Sequence, residues 1–318
     1  MHNSALGATD FTITSLTALF QSSSCIMNET YPLHSSIIIN SVLNAFSAYT
    51  AIMLNILTIH AMRKTSSLPK PLETLLLSLA VSDLGVGLLA QPLFIVWMVN
   101  PTSFTYAAFN AQIIFTVASF LSVVAISVER FLAIHLHLRY QELVTHKRVI
   151  VVVISIWILS VLYGPLSLFF SLKTPVYVIL YVILGFSFII TGLIYYKIYS
   201  TVQHHANQIQ VLEMQVAQLN SQTESAARQR KSAVSTLYVY LVYLFCCLPE
   251  YCVRLTFLIS SRSSVYSVLK YLWFYTLTLF FLNSSLNPVI YCWKMRHIRQ
   301  AIINTLRNIF PKQNQANL

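Results

Sequence analysis

Apolar positions gather into seven long runs, at about 37–62, 72–99, 105–135, 149–172, 175–203, 233–259 and 268–293. Short polar stretches such as RKTSSLPKP and HLHLRYQELVTHKR separate them. Each run reaches the roughly 20 residues that a helix needs to cross the hydrocarbon of a bilayer. Backbone groups in lipid must be paired within the segment, so the runs predict helices rather than open strands. The expected fold class is an all-α membrane protein, a seven-transmembrane helix bundle. Beyond the seventh run, Ile298, Ile302, Leu306 and Ile309 form an apolar stripe opposite Arg296, Arg299 and Arg307. That pattern predicts a short amphipathic eighth helix over 294–310, lying on the membrane surface.

The polar segment at about 204–231 carries Ile209, Leu212, Val216 and Leu219 at heptad-like spacing. A coiled coil needs three or four sustained heptads, so this segment reads as an extension of the flanking helices. Seven spans put the termini on opposite sides of the membrane. Of the 20 Lys and Arg, all but Lys173, Arg254, Arg262 and Lys270 fall on one side. The excess of basic residues marks the cytosolic face, so residues 1–36 form an extracellular tail and 311–318 a cytoplasmic one.

Composition agrees with the spans. The chain is 56% hydrophobic and 9% charged, with a mean hydropathy of +0.67, against about 25% charged residues in a soluble domain. The formal charge of +11 is mostly a cytoplasmic surface facing anionic lipid, which argues against a nucleic-acid partner. The first 36 residues contain no Lys or Arg and no compact apolar segment with a cleavage site, so the first span is expected to direct insertion itself. The sequon Asn28-Glu29-Thr30 makes Asn28 the expected glycosylation site on the outer tail. Four of the five cysteines (Cys246, Cys247, Cys252 and Cys292, but not Cys25) lie in apolar runs or at their ends, so no disulfide framework is legible. Neither His204-His205 nor Cys246-Cys247 has the spacing of a structural zinc site.

Polar groups inside membrane spans are costly and mark function by default. Here they are Asn55, Asp83, Ser119, Asn283, Ser284 and Asn287. Asp83 is the one carboxylate at mid-depth, so it needs either a cation or a proton. Carboxylate, hydroxyl and amide oxygens suit a small hard cation such as Na⁺, and a protonated Asp83 bridging two helices is the alternative. At the inner end of the third span stands the pair Glu129-Arg130, where Arg130 either serves a function or snorkels to the interface. Pro249 and Pro288 each remove a backbone donor and loosen the sixth and seventh helices. Glu250 and Arg254 lie one turn apart on the outer half of the sixth span; they form an i,i+4 pair, or Glu250 faces the cavity and anchors a cation. Trp97 and Trp273 read first as interface anchors.

In order along seven spans, Asn55, LAVSDL with Asp83, Ser119, Glu129-Arg130-Phe131, Trp157, Tyr195, Pro249 and NSSLNPVIY resemble the class A, rhodopsin-like G-protein-coupled receptors. The resemblance covers about residues 40–310. It implies that Glu129 restrains Arg130 at rest, and that Arg130 meets a heterotrimeric G protein once the sixth helix swings out. Tyr195 and Tyr291 would then close around Arg130, with Asn287 and Pro288 shaping the seventh helix and Leu138 entering a groove of the G protein. It also implies that Asp83, Ser119, Asn283, Ser284 and Asn287 hold an allosteric Na⁺; no other cofactor is expected.

The chain departs from the family pattern in several places. Cys247 stands where a tryptophan switch is usual, Ser187 falls near the usual fifth-helix proline, and Thr105 replaces the cysteine of the usual extracellular disulfide. Together with the short link between the fourth and fifth spans, these departures look like the melanocortin, cannabinoid and lysophospholipid receptors, and LHLRYQELVTHKR resembles the second cytoplasmic loop of melanocortin and adenosine receptors. Gln112 stands where amine receptors carry aspartate and Phe281 where opsins carry the retinal lysine. An extracellular ligand, whether small molecule, lipid or peptide, is expected to meet Gln112, Thr116, Glu250, Tyr251, Arg254, Tyr275 and Leu277.

The expected location is the plasma membrane. No G-x-S-x-G, metal-binding His pair or paired carboxylates support an enzyme. The rival reading is an ion-coupled transporter or channel using Asp83 and Glu250.

Overall fold

The computed structural model describes residues 30–64, 68–100, 105–136, 139–169, 175–213, 220–259 and 263–309. Asn28, Leu138, Val216, Leu219 and the C-terminal tail therefore lie outside the described residues. All regular structure among the described residues is helical. The helices are α1 Thr30–Lys64, α2 Lys70–Val99, α3 Thr105–His135, α4 His146–Phe169, α5 Pro175–Glu213, α6 Asn220–Ile259, α7 Ser263–Lys294 and α8 Arg296–Ile309. A single turn, Tyr140–Leu143, links α3 to α4. The ends of α5 and α6 carry both helices into the polar segment between them.

Among the described residues, six helices are long and apolar enough to cross a membrane by length and composition. The seventh, α7, is 32 residues long but carries the polar run Asn283, Ser284, Ser285 and Asn287. All four are buried against neighbouring helices, so the low hydropathy of α7 marks an inward polar face. Outward faces are apolar instead: Phe46 and Met53 on α1, Ile154 and Ile158 on α4, and Phe186 and Ile190 on α5 are all exposed. That inversion is what a helix bundle in lipid requires, since the surroundings are as apolar as leucine.

The packing order closes a ring. α1 packs on α2 and α7, α7 on α6, α3 on α2 and α4, and α3 also touches α5 and α6. The buried face of α3 follows helical spacing through Phe109, Gln112, Ser119, Val123, Ile126, Arg130 and Ala133, which makes α3 the central element.

Helix α2 is α-helical over Lys70–Gly85, widens to a π turn over Val86–Ala90, and resumes over Gln91–Val99. Pro92 lacks an N–H, and the Gln91 N–H bonds to the Val86 carbonyl, the i→i+5 pattern of a π bulge. The extra residue re-aims the outer half so that Gln91, Phe94 and Trp97 all face inward. Just below it, a Cβ on Gly85 would lie 2.1 Å from the Phe115 ring of α3. Gly85→Ala is expected to destabilise the bundle by about 1–3 kcal/mol through overpacking, read as a lower Tm in detergent.

Helix α8 divides the expected stripe between the bundle and its own outer surface. Ile298, Ile302 and Thr305 are buried against α1, while Leu306 is exposed. At 3.6 residues per turn, a residue seven positions on returns to nearly the same face, whereas one eight positions on is rotated away from it.

Candidate functional site

The polar groups of the interior fall at three depths. At the C-terminal end of α3, Arg130 and Glu129 are both buried, and the guanidinium pairs with its neighbour's carboxylate through Nε and Nη2. Tyr140, on the turn after α3, donates its hydroxyl to the same carboxylate. Burial and the adjacent Glu129 charge push the Tyr140 phenol well above its ordinary range, so it remains a donor at physiological pH. A buried ion pair is sustained only when such extra hydrogen bonds satisfy it. Tyr140 is invisible to helical periodicity because it lies beyond the end of α3; only the fold brings it back.

Around this pair, Tyr195 of α5 is buried beside Ser127 and Thr236 and stacks on Tyr240 of α6, with ring centroids 4.9 Å apart. Tyr291 of α7 is buried too, and its hydroxyl has no hydrogen-bond partner. Both tyrosines expected near Arg130 thus lie in the one inner core cluster.

At mid-depth, Asn287 Nδ2 donates to Asp83 Oδ2 at 2.8 Å, with Ser284 beside the same carboxylate. Asn55 of α1 donates to the Ser284 carbonyl at 2.9 Å. Asp83 Oδ1, Ser119 Oγ, Asn283 Oδ1 and Asn287 Oδ1 are all buried without a partner. Buried oxygens are ordinarily paired, so four orphans on the five expected ion-binding residues fit a hard cation with its water. Trp157 of α4 supports α2 from outside, its indole N–H 3.3 Å from Ser78 Oγ.

The outer half holds an aromatic cluster of Phe94, Trp97, Phe109, Trp273, Phe274 and Phe281. Trp97 meets Phe109 and Trp273 edge-on at 5.2 and 5.7 Å, and Phe109 stacks on Trp273 at 6.2 Å. The interface-anchor reading of Trp97 and Trp273 is therefore corrected: both are almost fully buried, because the π turn of α2 rotates Trp97 inward against α3 and α7. Leu277 is buried in the same cluster.

Glu250 and Arg254 pair along α6, and the Arg254 guanidinium lies 5.7 Å from the Trp273 ring centre. Gln112 is buried, and Thr116 Oγ1 is buried with no partner. The other two expected ligand residues meet α5 and α1. The Tyr251 ring sits 5.9 Å from Phe188 on α5, and the Tyr275 hydroxyl lies 3.2 Å from Ser36 Oγ on α1. At the position of the usual tryptophan, Cys247 is buried against the inner core cluster.

Comparison with known proteins agrees with this arrangement. Residues 54–291 match the family model described as 7 transmembrane receptor (rhodopsin family). Adenosine receptor A2b of Gallus gallus is 27% identical over 312 residues, covering 85% of this chain and 89% of the relative. Melanocortin receptor 3 of Homo sapiens is 26% identical, covering 83% of each chain. Adenosine receptor A3 of Ovis aries is 24% identical, covering 81% of this chain and 86% of the relative.

Proposed function

The chain belongs to the rhodopsin family of seven-transmembrane receptors, and from that premise we propose that its cytoplasmic end drives nucleotide exchange on a heterotrimeric G protein. As a G-protein-coupled receptor it has a resting state to be held, and the observation that carries this reading is the buried Glu129–Arg130 pair capped by Tyr140. At rest the pair and its cap keep the guanidinium inside the bundle. When α6 moves outward, Arg130 turns from Glu129 toward the G protein, and Tyr195 and Tyr291 close behind it. Leu138, eight residues after Arg130 in the sequence, enters a groove of the partner. Pro288 and Asn287 shape the inner turns of α7 that carry Tyr291.

Asp83, Ser119, Asn283, Ser284 and Asn287 would hold Na⁺, which supplies positive charge to a buried carboxylate. The four orphaned oxygens support that assignment. The chain's own part is to hold α2, α3 and α7 at one level through those oxygens and the Asn287–Asp83 bond.

An extracellular ligand enters above the aromatic cluster and meets Gln112 and Thr116, with the Glu250–Arg254 pair beside them. That pair neutralises itself, which favours a ligand bound mainly by aromatic contact and a few hydrogen bonds. The adenosine and melanocortin receptor relatives leave both a small heterocyclic molecule and a peptide open. Orientation follows the basic residues: N-terminus outside with Asn28 glycosylated, C-terminus in the cytosol, in the plasma membrane. The near full-length match to receptors favours this reading over a transporter built on Asp83 and Glu250.

The test is nucleotide exchange by the purified full chain in lipid nanodiscs, screened across G-protein classes. Acceleration over empty nanodiscs is expected. Failure with every class, even for a variant freed of the Glu129 restraint, would overturn the reading. Tyr140→Phe removes one hydrogen bond to the buried Glu129 carboxylate, worth about 1.5–3 kcal/mol, so ligand-independent exchange is expected to rise about tenfold or more.

A further inference from the structure

Helix α7 is fastened to α1 and α2 by a seam of buried polar side chains, and those of its outer half are uncharged and left unused by the functional reading above. In the outer half, Thr278 Oγ1 lies 2.8 Å from both Asn40 Oδ1 and Asn44 Nδ2. Gln91 Nε2 of α2 reaches Asn44 Oδ1 at 3.4 Å, while Gln91 Oε1 is buried without a partner. One level further in, Ser285 bonds to Ser47 O at 3.0 Å, and below it Asn55 reaches the Ser284 carbonyl and Asn287 reaches Asp83. The Thr278 and Ser285 contacts stand about two turns apart on α7, so the helices themselves carry the connection from the outer level to the mid-depth carboxylate. Asn40, Asn44, Gln91 and Thr278 are all buried.

We propose that Thr278, Asn44 and Gln91 are positioning residues that couple the outer aromatic cluster to Asp83 through α7, in place of the aromatic switch that α6 lacks. The proposal rests on the receptor reading above. Thr278 is one turn inward from Phe274, whose carbonyl its hydroxyl also meets at 2.9 Å. Gln91 is one turn from Phe94 and the Trp97 ring lies beyond it. A ligand that displaces Phe94, Trp97 or Phe274 therefore loads both ends of the Gln91–Asn44–Thr278 link. Buried hydrogen bonds of this kind are made or broken rather than stretched, because an unpaired polar group in the interior is costly. A shift of α7 is then carried as a unit to Ser284 and Asn287, which touch the carboxylate. On α6, by contrast, Cys247 packs with Tyr243 in the inner core cluster.

The experiment uses the full chain in nanodiscs with a trifluoromethyl label on Cys292, at the inner end of α7, in a Cys25→Ser, Cys252→Ala background. Glu129→Gln serves as the reference for the released state. Thr278→Val is expected to move the label's fluorine resonance toward that reference and to raise ligand-independent exchange about fivefold or more, the lower end of ordinary coupling between sites. Thr278→Ser, which keeps the hydroxyl, is expected to restore the parent values. A resonance and exchange rate unchanged in Thr278→Val, while Glu129→Gln moves both, would overturn the seam and leave the receptor reading standing. If Glu129→Gln is silent as well, the restraint assigned to Glu129 fails, and the label alone judges the seam against the spectrum of the parent chain. Should Thr278→Val not fold, Gln91→Met is read by the same criteria.

Discussion

Glu129→Gln is expected to raise ligand-independent nucleotide exchange by about tenfold to a hundredfold. The carboxylate holds Arg130 by two charge-assisted bonds and receives the Tyr140 hydroxyl. Hydrogen bonds to charged groups are worth about 1.5–3 kcal/mol each, and every 1.4 kcal/mol is tenfold in a population. Glutamine keeps the shape and an acceptor but removes the charge, so the resting arrangement weakens without a cavity. Arg130→Ala acts in the opposite direction on signalling: it removes the group that would meet the G protein and leaves Glu129 buried and unpaired. Breaking a buried pair in this way costs about 3–5 kcal/mol of stability. Exchange by Arg130→Ala should fall to the level of empty nanodiscs, and its Tm should drop. If the two variants changed exchange in the same direction, the restraint assigned to Glu129 would be wrong.

Asp83→Asn should abolish the dependence of ligand-independent exchange on Na⁺. In the parent chain, replacing choline chloride by sodium chloride at equal ionic strength is expected to suppress exchange. The comparison at fixed ionic strength matters, because salt also screens the basic cytoplasmic surface. Asparagine retains an oxygen for Asn287 Nδ2 but loses the charge that offsets a cation's desolvation. Folding should survive, since the Asn287 bond persists and three of the orphaned oxygens are untouched. Suppression by Na⁺ that persists in Asp83→Asn would move the ion site away from this carboxylate. The rival transporter reading makes a separate forecast, Na⁺ flux through vesicles carrying the parent chain, and that flux is expected to be absent.

Much of this site was legible before any coordinates. Asp83, Ser119, Asn283, Ser284 and Asn287 are conspicuous because a polar group in an apolar run has few reasons to be there. The same argument found Glu129-Arg130, and the structure brings each of these groups inside the bundle. Reading failed where position depends on helix rotation. Trp97 and Trp273 look like interface residues by depth alone, and a π turn that hydropathy cannot register turns Trp97 to the core. The contacts of Tyr251 with Phe188 on α5 and of the Tyr275 hydroxyl with Ser36 on α1 likewise do not follow from depth. Tyr140 leaves no periodic mark because it lies beyond the end of α3, 11 positions from Glu129, and the Asn40–Asn44–Thr278 link leaves none because Thr278 is 238 positions from Asn40.

By itself the sequence determined the solvent in which this chain folds, the number of its spans and the depth of each polar group. Those follow from the length and polarity of each run, because lipid penalises every unpaired polar group locally. Only the tertiary structure decided which polar groups meet. Partner choice depends on the rotation of each helix about its axis and on one inserted residue in α2, and neither leaves a periodic mark in the chain. The Glu129–Arg130 pair could be read from two adjacent letters; the Tyr140 cap and the polar seam along α7 required the helices to be packed.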